Sequence, residues 1–223
     1  MNGEAANGPR SRKGVQTRAR LLDAAKQIFE ENGFLEARIS DIAERAGLSH
    51  GSFYHYFDSK EQIFQEVVAL LDERLSEPMY SVVLHPAPGT TAFDRLFEAI
   101  RAHLASYRDE ARIMGVIEQV SRYNADVART RSARRERYGN DVTQSIRRMQ
   151  RRGVADATLD PVVTAAALGA MTERFTEALL VDRSVKCSVD EAARVLATLY
   201  VNALKIEDEP GEAPRRRGRS AAR

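Results

Sequence analysis

Small polar side chains cluster around residue 50, directly after a turn that Gly47 opens: Ser49, His50, Gly51 and Ser52. Hydroxyl and imidazole groups hydrogen-bond to base edges and phosphate oxygens when the first turn of a helix enters a DNA groove. A glycine inside a helix costs about 1 kcal/mol relative to alanine, a cost that a close approach of the Gly51 backbone to DNA would offset. The cluster is therefore a candidate nucleic-acid contact.

Other kinds of chemistry lack residues in a suitable pattern. The sequence contains no GxGxxG, P-loop or HExxH motif, and its four histidines do not cluster. We therefore predict that the chain is not an enzyme and uses neither a cofactor nor a metal. The single cysteine, Cys187, forms no internal disulfide, which is typical of a reducing compartment. Without a membrane-spanning apolar run or a signal peptide, we expect a cytoplasmic protein with no membrane partner.

The 223 residues, 43 % of them hydrophobic, suffice for one sizeable core or for a small domain beside a larger one. Apolar residues recur at helical spacing almost everywhere, and no stretch alternates as a half-buried strand does, so we predict an all-α fold. Basic residues crowd both ends, between Arg10 and Arg20 and between Arg215 and Arg219. Both groups are compatible with solvated termini, and the first is also placed to assist DNA binding.

The polar cluster is positioned by a series of short helical patterns. Four helices are predicted: 17–33, 39–46, 50–56 and one that opens at Ser59 and ends before Pro78. Thr17 is in position to cap the first, and Gly33 accepts the left-handed turn that ends it. Ser59-Lys60-Glu61-Gln62 is a capping box. Two helices joined by a tight turn, with the second presenting its first turn outward, form a helix-turn-helix.

The stretches LLDAAKQIFEENGF and ISDIAERAGLSHGSFYHYFDSKEQIF resemble the DNA-binding domain of the TetR family of bacterial repressors. The resemblance covers Thr17 to Val68, about a quarter of the chain. It implies an Ω-shaped homodimer of about nine helices per chain. In that family the last two helices make the dimer contacts, and a ligand cavity lies among the middle ones.

The resemblance also implies roles for single residues. It places bases or adjacent phosphates at residues 49–52 and at His55, and phosphates at Tyr54 and Lys60. Arg38 stands where the family commonly has Ser or Thr, so either Ser40 caps the second helix or Arg38 contacts a phosphate. The predicted DNA-binding set is Thr17, Arg38, Ser49, His50, Gly51, Ser52, Tyr54, His55 and Lys60. Each of these residues also has a plainer interpretation as an exposed or packing side chain.

Five further helices are predicted: 91–107, 109–127, 131–152, one from the Asp160-Pro161 cap and one from the Ser188 capping box. The predicted organisation is a disordered basic arm over 1–16, a helix-turn-helix domain over 17–62, a ligand-binding and dimerisation domain over 63–206 and a disordered tail over 207–223.

Candidate ligand-binding residues are apolar or weakly polar side chains on inward helix faces: Phe97, Ile100, His103, Leu104, Met114, Ile117, Tyr138, Met149, Met171 and Phe175. Methionines reshape readily around a guest molecule, and His103, Glu173 or Arg174 would supply a polar end to the pocket. Ordinary core packing is the alternative for each.

The sequence thus predicts a homodimeric repressor that binds double-stranded operator DNA and is released by a small-molecule effector. Three alternatives remain open: a regulator that responds to no ligand, an activator and a helical-bundle enzyme.

Overall fold

The computed structural model describes residues 11–84 and 89–207. Within those ranges the chain forms nine α-helices and no strand, which confirms the predicted all-α class. The helices are α1 (Arg12–Glu36), α2 (Ile39–Arg45), α3 (His50–Phe53), α4 (Lys60–Leu84), α5 (Ala92–Asp109), α6 (Ala111–Ser121), α7 (Ala125–Arg151), α8 (Pro161–Leu180) and α9 (Val189–Leu204). In the part of the chain that is described, no helix is long and apolar enough to cross a membrane.

The helices group into two compact units. The first unit contains the described residues up to Glu73 together with Arg112–Arg131, and the second contains Arg74–Ala111 and the described residues from Ser132 onward. Helices α4 and α7 therefore contribute residues to both units, as does α6 through its first residue, Ala111. The predicted tail lies, apart from residue 207, outside the described residues, as do residues 1–10 of the predicted arm.

Helix α1 begins earlier than predicted. Ser11 is its N-cap, with the Gly14 N–H donating to the Ser11 hydroxyl over 3.1 Å. Thr17 is not a cap, because it lies inside the helix and donates its hydroxyl hydrogen to the Lys13 carbonyl over 2.9 Å. Residues 12–16 are thus helical and do not belong to a disordered arm. Gly33 has a φ of 73° and interrupts the helix as predicted, but helical residues follow it and α1 ends at Glu36, three residues later than expected.

The short helices α2 and α3 form the predicted pair, with α3 ending three residues sooner than expected. Ser49 caps α3 by accepting a hydrogen bond from the Ser52 N–H over 3.2 Å. After Phe53 the chain continues as a turn, in which the Phe53 carbonyl accepts from the backbone of both Tyr56 and Phe57.

Helix α4 runs through Pro78 to Leu84, so the predicted end before Pro78 is wrong. A proline removes one backbone donor and bends a helix without always ending it. The predicted helix over 109–127 is also wrong, because helix α6 ends at Ser121 and a new helix, α7, begins at Ala125. The Asn124 side chain accepts from the backbone of Asp126 and Val127 over 3.0 and 3.1 Å, and so starts α7 six residues before its predicted beginning.

The other predicted helix starts are confirmed. Thr91 and Asp94 form a capping box at α5, Asp160 caps α8 ahead of Pro161, and Ser188 caps α9. In the second unit the main core is formed by α5, α8 and α9 with one residue of α7, and includes Leu104, Ile146 and Leu196. Fully buried phenylalanines pack the first unit: Phe29, Phe53, Phe57 and Phe64.

Candidate nucleic-acid interface

The N-terminal edge of α3 faces solvent. Ser49, His50 and Gly51 are exposed, while Phe53 at the end of the same helical turn is completely buried. Because the buried Phe53 side chain anchors the end of α3, the polar residues at its start are held at the surface. This is the arrangement that a recognition helix requires.

The polar side chains on this edge contact one another. The hydroxyls of Ser49 and Ser52 lie 2.8 Å apart, and the rings of His50 and Tyr54 meet edge to face with centroids 5.4 Å apart. Tyr54 is 48 % exposed, and His55 beside it is exposed as well. We call the five exposed residues Ser49, His50, Gly51, Tyr54 and His55, with half-buried Ser52, the α3 edge. The structure therefore brings six of the predicted DNA-binding residues onto one surface.

Gly51 has no structural reason to be glycine. A Cβ placed on it would meet no atom within 4 Å, and its backbone is helical. Gly47 differs, because its φ is +67° and a Cβ there would come within 2.8 Å of the Arg20 guanidinium. The turn thus requires Gly47, while the open space at Gly51 leaves the backbone accessible from outside.

Two arginines hold the turn in front of the α3 edge. Arg20 of α1 donates to the Ala46 carbonyl at the end of α2. Arg45 of α2 reaches back to α1 and donates from two nitrogens to the two carboxylate oxygens of Glu31, over 2.8 and 2.7 Å. These tethers were not predicted, since a charge on an exposed helix face gives no indication of a partner more than ten residues away.

Arg38 occupies the N-cap position of α2 and makes no side-chain cap bond. Ser40 lies inside α2 and donates to the carboxylate of Asp41 over 2.9 Å, so the alternative in which Ser40 caps a later-starting helix is wrong. The Arg38 side chain is exposed. Its proposed contact with a phosphate is the alternative that remains.

Lys60 and Thr17 do not join the α3 edge. The Lys60 ammonium donates to the carbonyls of Phe34, Leu35 and Ala37 over 2.8, 3.0 and 2.9 Å. All three of its N–H groups are thereby used within the protein, which does not support the phosphate contact predicted for it. The Thr17 hydroxyl likewise donates within α1.

The predicted ligand-binding residues divide between the two units. Met114 and Ile117 are buried in α6, in the first unit. Ile100 and Leu104 lie in the main core of the second unit. Other apolar members are partly buried against that core: Phe97, Met149, Met171 and Phe175. Periodicity correctly predicted that these residues face inward, and it carries no information about which core a side chain joins.

Buried polar atoms distinguish the second unit. Nδ1 of His103 and Oγ1 of Thr176 are shielded from solvent and have no hydrogen-bond partner among the described residues. Burial, and then the positive charge of Arg134, lower the pKa of His103 to about 4, against which a hydrogen bond to the Leu75 backbone acts weakly. The imidazole is therefore neutral at pH 7. Other buried polar groups of the same unit are paired: the hydroxyls of Thr172 and Tyr200 lie 2.9 Å apart, and Tyr200 also bonds to Tyr138.

Helices α8 and α9 carry apolar side chains on their outer faces. Val163 of α8 is 68 % exposed, and Val195 and Leu199 of α9 are 47 % and 44 % exposed. The two helices are joined inside by the Thr172–Tyr200 bond. Exposed apolar residues at i and i+4 on one helix form a stripe that a partner can cover.

The chain resembles two family profiles in series. Residues 21–67 match the bacterial regulatory proteins of the tetR family, and residues 96–205 match the C-terminal domain of the transcriptional regulator EthR.

Among the described residues, no group of three or more His, Cys, Asp or Glu is arranged to hold a metal ion. The fold and the α3 edge define the class of the molecule as a helix-turn-helix DNA-binding protein.

Relatives matched over two thirds or more of their own length agree with that class. The chain is 28 % identical over 197 residues to the HTH-type transcriptional regulator YdgC of Bacillus subtilis, covering 86 % of this chain and 95 % of the relative. It is 32 % identical over 153 residues to the HTH-type transcriptional repressor KstR2 of Mycolicibacterium smegmatis, covering 65 % and 68 %. The chain belongs to the TetR family of transcriptional regulators, a family of DNA-binding proteins and not of enzymes.

The fold is also similar to that of solved structures. A transcriptional regulator from Saccharomonospora viridis, crystallised in complex with choline, superposes with a TM-score of 0.73 at 22 % identity, covering 86 % of this chain and 99 % of the other. At this identity the likeness concerns the fold alone.

Proposed function

We propose that this TetR-family regulator is a homodimeric repressor that binds operator DNA through the α3 edge and leaves it when a small molecule binds in the second unit. The observation that carries the DNA half of the proposal is the outward polar turn of α3, backed by buried Phe53 and left open at Gly51. The name of KstR2 supports repression rather than activation. A DNA-bound regulator works where the chromosome is, in the cytoplasm.

On DNA, the α3 edge divides into two kinds of contact. His50 and His55 have ring nitrogens for base edges, and Gly51 lets the backbone come close to the duplex. Tyr54 and Arg38 have a phenol and a guanidinium for phosphates on either side. Thr17 and Lys60 are left out of this set, since their donors are already engaged.

We infer that the outer faces of α8 and α9 join two copies of the chain. Three large apolar side chains are exposed to water in the single chain: Val163, Val195 and Leu199. An isologous interface would bury the same patch from both subunits. A dimer presents two α3 edges, and two half-sites bound together give far higher affinity than one.

The effector is proposed to enter the second unit near His103. An unpaired buried acceptor such as Nδ1 costs free energy that a ligand with a hydrogen-bond donor would recover. The choline complex of the Saccharomonospora viridis regulator supports a small-molecule site in this fold. The ligand lowers DNA affinity by as much as it prefers the conformer that does not fit DNA.

The test is a fluorescence-anisotropy titration with duplex DNA from the region upstream of the chain's own gene, alongside analytical ultracentrifugation. The proposal expects a dimer with saturable, sequence-specific binding. A monomer that does not distinguish this DNA from random duplex would contradict it. For the effector, a thermal-shift screen that starts with choline is repeated on His103→Leu. A compound that stabilises the wild type, releases DNA and has no effect on the variant supports the site, and an equal effect on both proteins contradicts it.

A further inference from the structure

Lys60 closes the joint between α1 and α2. Its ammonium lies within hydrogen-bond distance of three carbonyls, those of Phe34, Leu35 and Ala37, at 2.8, 3.0 and 2.9 Å. The same ammonium lies 4.8 Å from the centroid of the Phe34 ring. A lysine ammonium has three hydrogens and no acceptor, so this arrangement uses its full hydrogen-bonding capacity.

The joint needs such a partner because the helical path is interrupted there. Gly33 leaves the helical conformation, and the last carbonyls of a helix have no partner within the helix itself. A cation near those carbonyls is also favoured by the negative end of the helix dipole. Lys60 supplies both the hydrogen bonds and the charge from the first residue of another helix, α4.

The joint leads directly into α2. Ala37 is followed by Arg38, the N-cap of α2, which has no side-chain cap bond of its own. The start of α2 is thus held on its N-terminal side by the chain segment that Lys60 grips. On the other side it is fixed by burial of Ile42 and Ala43.

We propose that Lys60 is a positioning residue for DNA binding: it fixes the α1–α2 joint, and with it Arg38 and the first turn of α2, and it does not itself contact a phosphate. This inference rests on the proposed use of the α3 edge and Arg38 on DNA. If Lys60 turned to a phosphate, at least one of the three carbonyls would lose its hydrogen-bond donor. If Lys60 keeps all three bonds, it has no donor left for a phosphate.

The experiment compares Lys60→Met, which keeps an unbranched stem beside Phe34 and loses every donor, with Arg38→Met as the matched control at a proposed phosphate contact. Operator affinity is measured by anisotropy at several salt concentrations, at a temperature where circular dichroism shows each protein folded. Amide exchange of residues 38–42 is followed in the absence of DNA. Wild-type binding is measured first, so that a failure of DNA binding itself is recognised separately.

For Lys60→Met we expect a melting temperature lower by about 5 °C, faster exchange at residues 38–42 and affinity weaker by roughly tenfold. For Lys60→Met, the slope of log K against log salt should equal that of the wild type. Arg38→Met should make the slope less steep by about one, since it loses one phosphate contact. A reduced slope with unchanged stability and exchange would show a phosphate contact and overturn the proposal. Reduced stability with wild-type affinity would show a structural role only, and would overturn it as well.

Lys60→Arg keeps the test decisive if Lys60→Met does not fold. The guanidinium has donors but a planar shape that fits three convergent carbonyls less well. The proposal expects stability and affinity reduced together, less than in Lys60→Met, with the wild-type salt slope. Wild-type stability with equal or tighter DNA binding would contradict it.

Discussion

The polar atoms on the α3 edge of the first unit and those around His103 in the second unit differ in solvent exposure and in hydrogen bonding. On the α3 edge the polar groups are exposed and bond to one another, as Ser49 does to Ser52. In the second unit, Nδ1 of His103 and Oγ1 of Thr176 are buried without partners. Exposed groups exchange water for DNA at little cost, while buried unpaired groups destabilise the free protein until a ligand arrives. This difference agrees with the proposed function, in which the first unit reads DNA and the second unit binds the effector.

The largest effect is expected from separating the two copies of the proposed dimer. The double change Val195→Asp and Leu199→Asp puts two carboxylates on the outer face of α9, where both residues are exposed in the single chain. We expect a folded monomer whose operator affinity falls roughly 100-fold or more, because one half-site is lost. Sedimentation velocity and anisotropy measure the two effects.

Tyr123→Asp is the matched control, since Tyr123 is a similarly exposed large side chain in the first unit. It should stay dimeric. A dimer in the α9 variant, or a monomer in the control, would place the contact between copies elsewhere.

The next effect concerns Gly51→Ala. The added methyl meets nothing inside the protein, so the fold should gain up to about 1 kcal/mol from the better helix former. Operator affinity should drop by roughly tenfold, because the methyl occupies the space where the duplex approaches. Gly139→Ala is the control, as a Cβ there also meets nothing within 4 Å. Equal DNA binding by both variants would remove Gly51 from the interface.

His103→Leu sharpens the other side of the comparison. The change removes the unpaired Nδ1 acceptor and also the hydrogen bond to the Leu75 backbone, so the stability of the free protein should change by no more than about 1 kcal/mol, and DNA binding should stay intact at pH 7.5. The lowered pKa of His103, about 4 against 6.5, means that the unfolded chain binds more protons in this range. Wild-type stability should therefore be full above pH 6.5 and fall as the pH drops towards 4.

Thermal unfolding between pH 4 and 7.5 measures both effects. The gap between His103→Leu and the wild type should widen steadily with acid. A constant gap would show that His103 titrates normally and is not the buried neutral group that the effector site requires.

The smallest effect is expected for Tyr54→Phe. The ring remains against His50, so stability should not change, and loss of one hydroxyl–phosphate bond should weaken all duplexes alike by about threefold. Competition between operator and random DNA checks this. A loss restricted to the operator sequence would mean that Tyr54 reads bases.

The features that could be predicted from the sequence are those set by residues close together in the chain. Gly33 and Gly47 act on the backbone within a few positions, so the α2–α3 pair and its outward edge followed from the order of residues. The caps at Asp160 and Ser188 were predictable for the same reason. These local signals, with the family resemblance, account for the fold class and for most of the candidate DNA interface.

Long-range contacts were not predictable in this way. The Lys60 ammonium reaches carbonyls on residues 34–37, and that pairing depends on how α4 packs against α1. Met114 and Leu104 have the same apolar periodicity, yet they belong to different units. The spacing of apolar residues in α5 does not show that Nδ1 of His103 lacks a hydrogen-bond partner, because this depends on the residues that surround it in the fold.

Amide hydrogen exchange with and without duplex DNA from upstream of the chain's own gene tests the central claim most directly. The account predicts slower exchange over residues 47–56 and at 38–41 when DNA is present. Residues of α9 should exchange at the same rate in both states, since their outer face is proposed to be covered already in the free dimer. Unchanged exchange over 47–56 in a sample that demonstrably binds DNA would contradict the account, because the duplex would then contact another surface.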